Sequence, residues 1–162
     1  MLLIRPAEIK DIEAITEIYN DAVLKTTATF DTEEKTLEEQ TLWFNSHDER
    51  HPVIVSELQG KVNGWASLSP WSDRIAYSKT AEISIYVREE FRNQGYGKKL
   101  MSKILDDGKS AGLHTVIARI ADSNAVSIKL HEDFGFKHIG VMKEAGEKFR
   151  RILDVYLMQK IY

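Results

Sequence analysis

The sequence predicts an α+β domain, of mixed α/β character, built on a mixed β-sheet. Three observations carry that prediction. The order of periodic segments reads strand, two helices, then strands alternating with helices. The 162 residues are 43% hydrophobic and 29% charged, an ordinary balance for one globular core. No repeat, low-complexity tract or linker rich in Gly, Pro or Ser divides the chain, so residues 1–162 are read as a single domain.

The elements follow in order. Leu2, Ile4 and their neighbours form a short opening strand. Asp11 is placed as the N-cap of a first helix, with Ile12, Ile15, Tyr19 and Ala22 at helical spacing. Thr36-Leu37-Glu38-Glu39 fits a capping box and starts a second helix that runs to about His47; Pro52 blocks its continuation. Val53-Ile54-Val55 and Val62–Leu68 pair as a hairpin across the turn Gln59-Gly60-Lys61. After a polar and aromatic loop, Pro70–Thr80, the segment Ala81–Val87 alternates. Ala81, Ile83, Ile85 and Val87 share one face; Glu82, Ser84 and Tyr86 share the other. From Gly97 the period is helical, with Leu100, Met101, Ile104, Leu105 and Ala111 on one stripe and Gly112 as the stop. Val116-Ile117-Ala118 is a strand. Ser123 or Asn124 caps a helix to about Phe134, ended by Gly135, and Phe136–Val141 and Ile152–Met158 are closing strands.

Composition excludes several functions. With no cysteine there are no disulfides, thiolate zinc sites or cysteine nucleophiles. The 22 basic residues against 25 acidic ones lack the excess of a duplex binder, so no nucleic-acid partner is expected. No apolar run approaches the ~20 residues of a membrane span. Met1 leads directly into Leu2–Arg5 with no signal-peptide pattern, so a cytoplasmic location is expected. His47-Asp48-Glu49-Arg50-His51 is not a zincin motif, which needs Glu at position 48, and no metal is expected.

The most informative segment is Arg92-Asn93-Gln94-Gly95-Tyr96-Gly97-Lys98, which follows a strand and opens a helix. Glycines there let a backbone approach an anion, and the free N–H groups of a first helical turn favour phosphate. A Walker A loop would need glycine at position 92, which is Arg. A dinucleotide fingerprint would need it at position 100, which is Leu. The alternative is a plain strand-to-helix turn with a basic rim.

Arg92–Gly97 resembles the Arg/Gln-x-x-Gly-x-Gly/Ala signature of the GNAT acetyltransferases. Asn124-Ala125-Val126-Ser127-Ile128-Lys129-Leu130-His131-Glu132-Asp133-Phe134-Gly135-Phe136 resembles that superfamily's Asn-x-x-(Ala/Ser)-x-x-Leu-(Tyr/His)-x-x-x-Gly-(Phe/Tyr) segment, and Ile4-Arg5-Pro6-Ala7 its opening. Thr80–Val87, Leu130-His131-Glu132 and Arg74-Ile75-Ala76-Tyr77 are similar to phosphinothricin N-acetyltransferase and its near relatives, which acetylate the α-amino group of phosphinothricin, methionine sulfone or methionine sulfoximine. Ser72-Asp73 and Ser78-Lys79 depart from that branch.

The resemblance implies the GNAT acyl-CoA N-acyltransferase fold, a central twisted mixed sheet flanked by helices, and acetyl-CoA as donor. It implies that Arg92, Asn93, Gln94, Gly95, Tyr96, Gly97 and Lys98 cradle the donor's pyrophosphate, and that the backbone of Ile85, Tyr86 and Val87 pairs with its pantetheine arm. Asn124 would touch the donor or serve as a plain N-cap. Acetyl transfer to an amine needs a neutral amine, a stabilised carbonyl oxygen and a proton for the departing thiolate. Glu82 is the candidate base, on the expectation that partial burial raises its pKa; the alternative is a surface glutamate. His131 is the candidate acid, or a histidine that only packs. Arg74 and Tyr77, with Phe30 and Tyr86, are the candidate acceptor site, where a guanidinium would fork an amino acid's carboxylate; the alternative is a solvated loop. A homodimer is implied as well. The rival readings are a GNAT enzyme for another amine, such as a polyamine or a peptide N-terminus, and a non-catalytic acyl-CoA-binding domain.

Overall fold

The computed structural model describes every residue from Met1 to Tyr162. Seven strands form one sheet: β1 (Leu2–Pro6), β2 (Val53–Leu58), β3 (Lys61–Pro70), β4 (Thr80–Val87), β5 (Thr115–Ala121), β6 (Lys137–Lys148) and β7 (Arg151–Ile161). Their spatial order is β1-β2-β3-β4-β5-β7-β6. All neighbours are antiparallel except β4 and β5, which are parallel. The helix that must lie between two parallel neighbours is α3 (Tyr96–Ser110).

That helix covers one face of the sheet. Leu100, Met101 and Ile104 are fully buried against Ile54, Ala66, Leu68, Ala81 and Val116. The opposite face is covered by α1 (Ile12–Lys25), which packs Ile12, Ile15 and Ile18 on Val53, Val55 and Trp65, with α2 (Leu37–Asn45) adding Trp43 and Phe44. The expected alternation in β4 is realised. Ala81 and Ile83 enter the α3 core, with Ile85 and Val87 packed against it, while Tyr86 packs among the α1 and α2 side chains. Glu82 and Ser84 share the Tyr86 face.

The capping box at Thr36 is present, with Thr36 Oγ1 accepting from the Glu39 amide at 3.1 Å and the Glu39 carboxylate accepting from the Thr36 amide at 2.8 Å. The helix it starts ends at Asn45, two residues short of the expected His47. Asp11 precedes α1 but does not cap it. Its carboxylate accepts from the Glu8 amide at 2.8 Å and from the Arg5 guanidinium at 2.7 and 2.9 Å, tying the first strand to the turn. Gly112 and Gly135 have φ of +87° and +85° and close the ends of α3 and α4 (Ala125–Asp133).

The largest departure from expectation is the β6–β7 hairpin. It extends to Lys148 and restarts at Arg151, joined by Phe149 and Arg150 with φ of +53° and +60°. Two left-handed central residues are what a tight primed turn requires, but Phe-Arg carries none of the usual Asn-Gly signal. The longer hairpin reaches the α1–α2 loop. Lys148, buried with its pKa lowered by desolvation, donates to the Thr29 carbonyl at 2.8 Å, and Gly146 lies under the Phe30 ring.

Candidate active site

Strands β4 and β5 pair only over Thr80–Glu82 and Thr115–Ile117. Beyond Glu82, β4 stays on β3 as far as Val87, and β5 stays on β7 as far as Ala121. The two strands therefore diverge, and the edge of β4 from Ile83 to Val87, including Ile85 and Tyr86, faces the opening with no strand beside it. Such an edge can take an extended ligand as it would another strand.

The glycine segment lies at the end of that edge. After a 3-10 turn at Glu89–Phe91, Asn93 and Gly95 adopt φ of +60° and +84°, and α3 begins at Tyr96. No side chain caps α3, and its first backbone bond is Lys99 N–H to the Gly95 carbonyl at 3.2 Å. The amides of Tyr96, Gly97 and Lys98 have no acceptor, so three donors and the positive end of the helix converge on open space. A side chain at Gly95 would meet no atom within 4 Å, and one at Gly97 would meet only Leu130 at 3.7 Å. Arg92 and Gln94 brace the loop, donating to the Val87 carbonyl at 3.1 Å and the Glu90 carbonyl at 2.8 Å. Lys98 lies 3.4 Å from Asp133, while Lys99 forms no ion pair. These groups fit a diphosphate. Asn124 acts as a helix N-cap, its Oδ1 accepting from the Ser127 amide at 3.1 Å.

Glu82 stands where the strands part. Its carboxylate accepts both arms of the Arg119 guanidinium, at 2.6 and 2.5 Å, and that guanidinium lies 5.6 Å from the centre of the Trp71 ring. Glu82 is half-buried, as expected, and its carboxylate is held by a cationic fork that the sequence did not announce. Arg119 was not legible as a partner because the pair depends on β4 and β5 being neighbours. His131 is buried on α4, edge-on to Phe136 with ring centres 5.0 Å apart. Its Nδ1 lies 2.7 Å from the Ser127 carbonyl, which can only accept, so Nδ1 carries the proton and Nε2 the lone pair. Burial pushes its pKa below the ordinary value. A neutral ring held in this way offers its lone pair at Nε2. No contact joins Glu82 to His131. His131 packs on Phe136, which belongs to the α3-side core, whereas Glu82 is on the opposite face of β4.

A cavity of about 310 Å³ lies on the Glu82 face, between β3, β4 and the α1–α2 segment. Tyr19, Trp43, Trp65 and Tyr86 supply its aromatic walls. Gln40, Ser67 and Ser84 supply uncharged polar groups. Of the expected acceptor residues, Tyr86 lines it. Its phenol is pushed up by burial and lies 3.3 Å from the Ala28 carbonyl. Phe30, which precedes the lining Asp31 in the α1–α2 loop, does not line it, and neither do Arg74 and Tyr77, which are exposed in and next to a 3-10 turn, Ile75–Tyr77. No group of three or more His, Asp or Glu is placed to hold a metal ion, and no helix is long and apolar enough to cross a membrane.

The chain matches the Acetyltransferase (GNAT) family over residues 13–136. It is 38% identical over 159 residues to the L-methionine sulfoximine/L-methionine sulfone acetyltransferase of Salmonella typhimurium, spanning 98% of this chain and 93% of that protein. It is 36% identical over 156 residues to the phosphinothricin N-acetyltransferase of Streptomyces coelicolor, spanning 94% and 91%. A GNAT superfamily phosphinothricin acetyltransferase of Sinorhizobium meliloti, solved in complex with acetyl-CoA, superposes with a TM-score of 0.95 at 34% identity over 99% of this chain and 88% of that one. The similarity runs through the parted strands, the glycine turn and the helix that follows, and the chain belongs to the GNAT family of acetyltransferases.

Proposed function

We propose that this acetyltransferase moves an acetyl group from acetyl-CoA directly to the α-amino group of a small amino acid or analogue, in a ternary complex. The observation that carries the reading is the single opening in the sheet. The glycine turn lies at the far end of its β4 edge, and the cavity borders the same strand on the Glu82 face. Donor and acceptor can then meet at β4 without leaving the protein. When bound, the donor supplies a thioester carbonyl open to attack. The amides of Tyr96, Gly97 and Lys98 hold its diphosphate, with Arg92 and Lys99 adding positive charge. The free β4 edge at Ile85–Val87 holds its extended arm, and Asn124 lies at the neighbouring helix start.

Glu82 accepts the proton that the acceptor's ammonium must lose, directly or through water, while Arg119 fixes its orientation. A backbone N–H of the parted β4 edge steadies the carbonyl oxygen as charge grows on it. The C–N bond forms, the C–S bond breaks, and the thiolate takes a proton. The attacking nitrogen sheds its second proton as the amide forms; the Nε2 lone pair of His131 takes that proton and passes it to the thiolate, so the acid role is a step in the cycle. No covalent intermediate is needed, and the chain holds no thiol to form one. Arg74 and Tyr77, exposed in one chain, are assigned to the acceptor's carboxylate in a homodimer acting in the cytoplasm.

The test is thiol release from acetyl-CoA with phosphinothricin, methionine sulfone, methionine sulfoximine, spermidine and short peptides. Turnover of the amino-acid analogues supports the reading. Turnover of spermidine or peptides alone replaces the acceptor class, and donor binding with no turnover on any amine rejects the enzyme mechanism.

A further inference from the structure

Acetylation of an ammonium releases one net proton. The thiolate keeps one of the two that the nitrogen sheds, and the other is left on Glu82, which must lose it before the next turnover. The strand pairing sets a hydroxyl beside that carboxyl. Ser69 on β3 is the direct cross-strand partner of Glu82, so both side chains leave the sheet on the same face. Facing partners in an antiparallel pair have Cβ atoms about 4.5–5.5 Å apart. Ser69 Oγ makes one hydrogen bond, 2.9 Å long, to His47 Nε2. The His47 Nδ1 lies 2.8 Å from the Trp43 carbonyl, which can only accept. In the neutral ring Nδ1 therefore carries the proton, Nε2 offers its lone pair, and the Ser69 hydroxyl donates to it. The lone pairs of Ser69 Oγ stay unbonded. His47 opens the His47–His51 segment, which is no metal motif and which acetyl transfer as described above does not use.

Resting on the reading of Glu82 as the base, we propose that Ser69 and His47 carry away the proton that Glu82 takes from the acceptor. At rest the Glu82 carboxylate is turned to Arg119. Once protonated it loses the charge that makes that fork strong and gains an O–H to donate. Ser69 Oγ accepts this proton, directly or through one water, as the Ser69 hydroxyl gives its own to His47 Nε2. One O–H bond breaks at Glu82, one forms and one breaks at Ser69, and one N–H bond forms at His47. Glu82 is again a carboxylate, Ser69 is unchanged, and the imidazolium returns a proton to water from a ring that is only half-buried. Desolvation holds His47 below its ordinary 6.5, so the ring is neutral and able to accept at neutral pH. Its titratable neighbours, Asp48 and His51, are bonded to each other at 2.7 Å. The Trp43 ring packs edge-on to it, with centres 4.7 Å apart, and fixes its plane. Neither Ser69 nor His47 lines the acceptor cavity, so the pair acts through Glu82.

The experiment measures acetylated product from acetyl-CoA and the amine that the parent turns over, methionine sulfone being tried first. The variants are Ser69→Ala, Ser69→Thr, His47→Ala and Glu82→Gln. Melting curves show which of them fold, and the two Ser69 variants decide the matter if His47→Ala does not. Ser69→Ala and His47→Ala are each expected to lower kcat about 10-fold at neutral pH, less than the ~10²-fold of a group that moves a proton in the bond-forming step. Both KM values should stay near the parent's. Ser69→Thr, which keeps the hydroxyl, should keep the parent's kcat. Added imidazole should restore kcat in His47→Ala and leave the parent unchanged, a response that a merely structural histidine would not give. Folded Ser69→Ala with the parent's kcat would overturn the relay. So would a loss confined to KM, a Ser69→Thr as slow as Ser69→Ala, or a slow, folded His47→Ala that imidazole does not quicken. With Glu82→Gln impaired, each of those results leaves Glu82 in place as the base. Undiminished turnover by Glu82→Gln, or a parent that acetylates no amine, would overturn the reading of the base, and the relay with it.

Discussion

Replacing Gly97 by alanine tests whether the amides at the start of α3 hold the donor, because the free chain should tolerate that methyl group well. A Cβ at Gly97 meets only Leu130, at 3.7 Å, an ordinary van der Waals contact. Alanine is a better helix former than glycine by about 0.5–1 kcal/mol, so melting is expected to rise by about 1–4 °C. The same methyl sits on the middle one of the three residues whose amides are unpartnered, where a phosphate oxygen must come within about 3 Å of nitrogen. The KM for acetyl-CoA should therefore rise at least about tenfold, equivalent to ~1.4 kcal/mol, in a protein more stable than its parent. Gly95→Ala is the counterpart. Its Cβ meets nothing, but its φ of +84° costs an L residue about 1–2 kcal/mol. Melting should fall by about 2–8 °C while donor KM again rises. The assays are thermal melting and thiol release, in which coenzyme A is the only thiol because the chain has none. A folded Gly97→Ala with the parent's donor KM would refute the claim that these amides hold a diphosphate.

Glu82→Gln should lower kcat about 10²-fold or more with donor KM nearly unchanged, read by steady-state kinetics at neutral pH; undiminished turnover removes Glu82 from the chemistry. Gly146→Ala would place a Cβ 2.4 Å from the Phe30 ring, so the α1–α2 loop must shift. A stability loss of about 1–3 kcal/mol and a raised acceptor KM are expected, and a normal acceptor KM would detach that loop from the acceptor site. His47 and His131 are both held below their ordinary 6.5 by burial. Just under that pH the unfolded chain binds more protons than the folded one. Their stabilising effect is therefore complete above about pH 6.5 and is lost as pH falls through the folded values, with a slope of up to about 1.4 kcal/mol per pH unit for each. Melting curves of His131→Asn should show a shallower acid decline than those of the parent, and equal slopes would reject this account.

The order of elements, the Thr36 capping box, the alternation of β4 and the helix-opening glycine turn were legible because each is encoded within a dozen neighbouring residues. What escaped was set by distant neighbours. Asp11 looks like an N-cap until Arg5 and Glu8 claim its carboxylate. The pairing of Glu82 with Arg119 depends on two strands being adjacent in the sheet, and the protonation of His131 on burial against Phe136. The turn at Phe149-Arg150 carries no turn residues, so the reach of the last hairpin toward Phe30 could not be read either.

The three residue pairs that join β4 to β5 are also a thermodynamic seam. On one side lie β1 to β4, on the other β5 to β7, and away from the parted end Tyr162 helps to tie the sheet to α3. Its amide donates to the His114 carbonyl at 3.0 Å and its hydroxyl to the Leu105 carbonyl at 2.7 Å. Without ligand, the two halves can fluctuate as partly independent folding units, and the amides that face the open edge of β4 have no strand partner to protect them from exchange with solvent. A ligand lying along that edge makes the sheet continuous and merges the two units. At 100 times its Kd it would add about 2.7 kcal/mol to the stability of the whole.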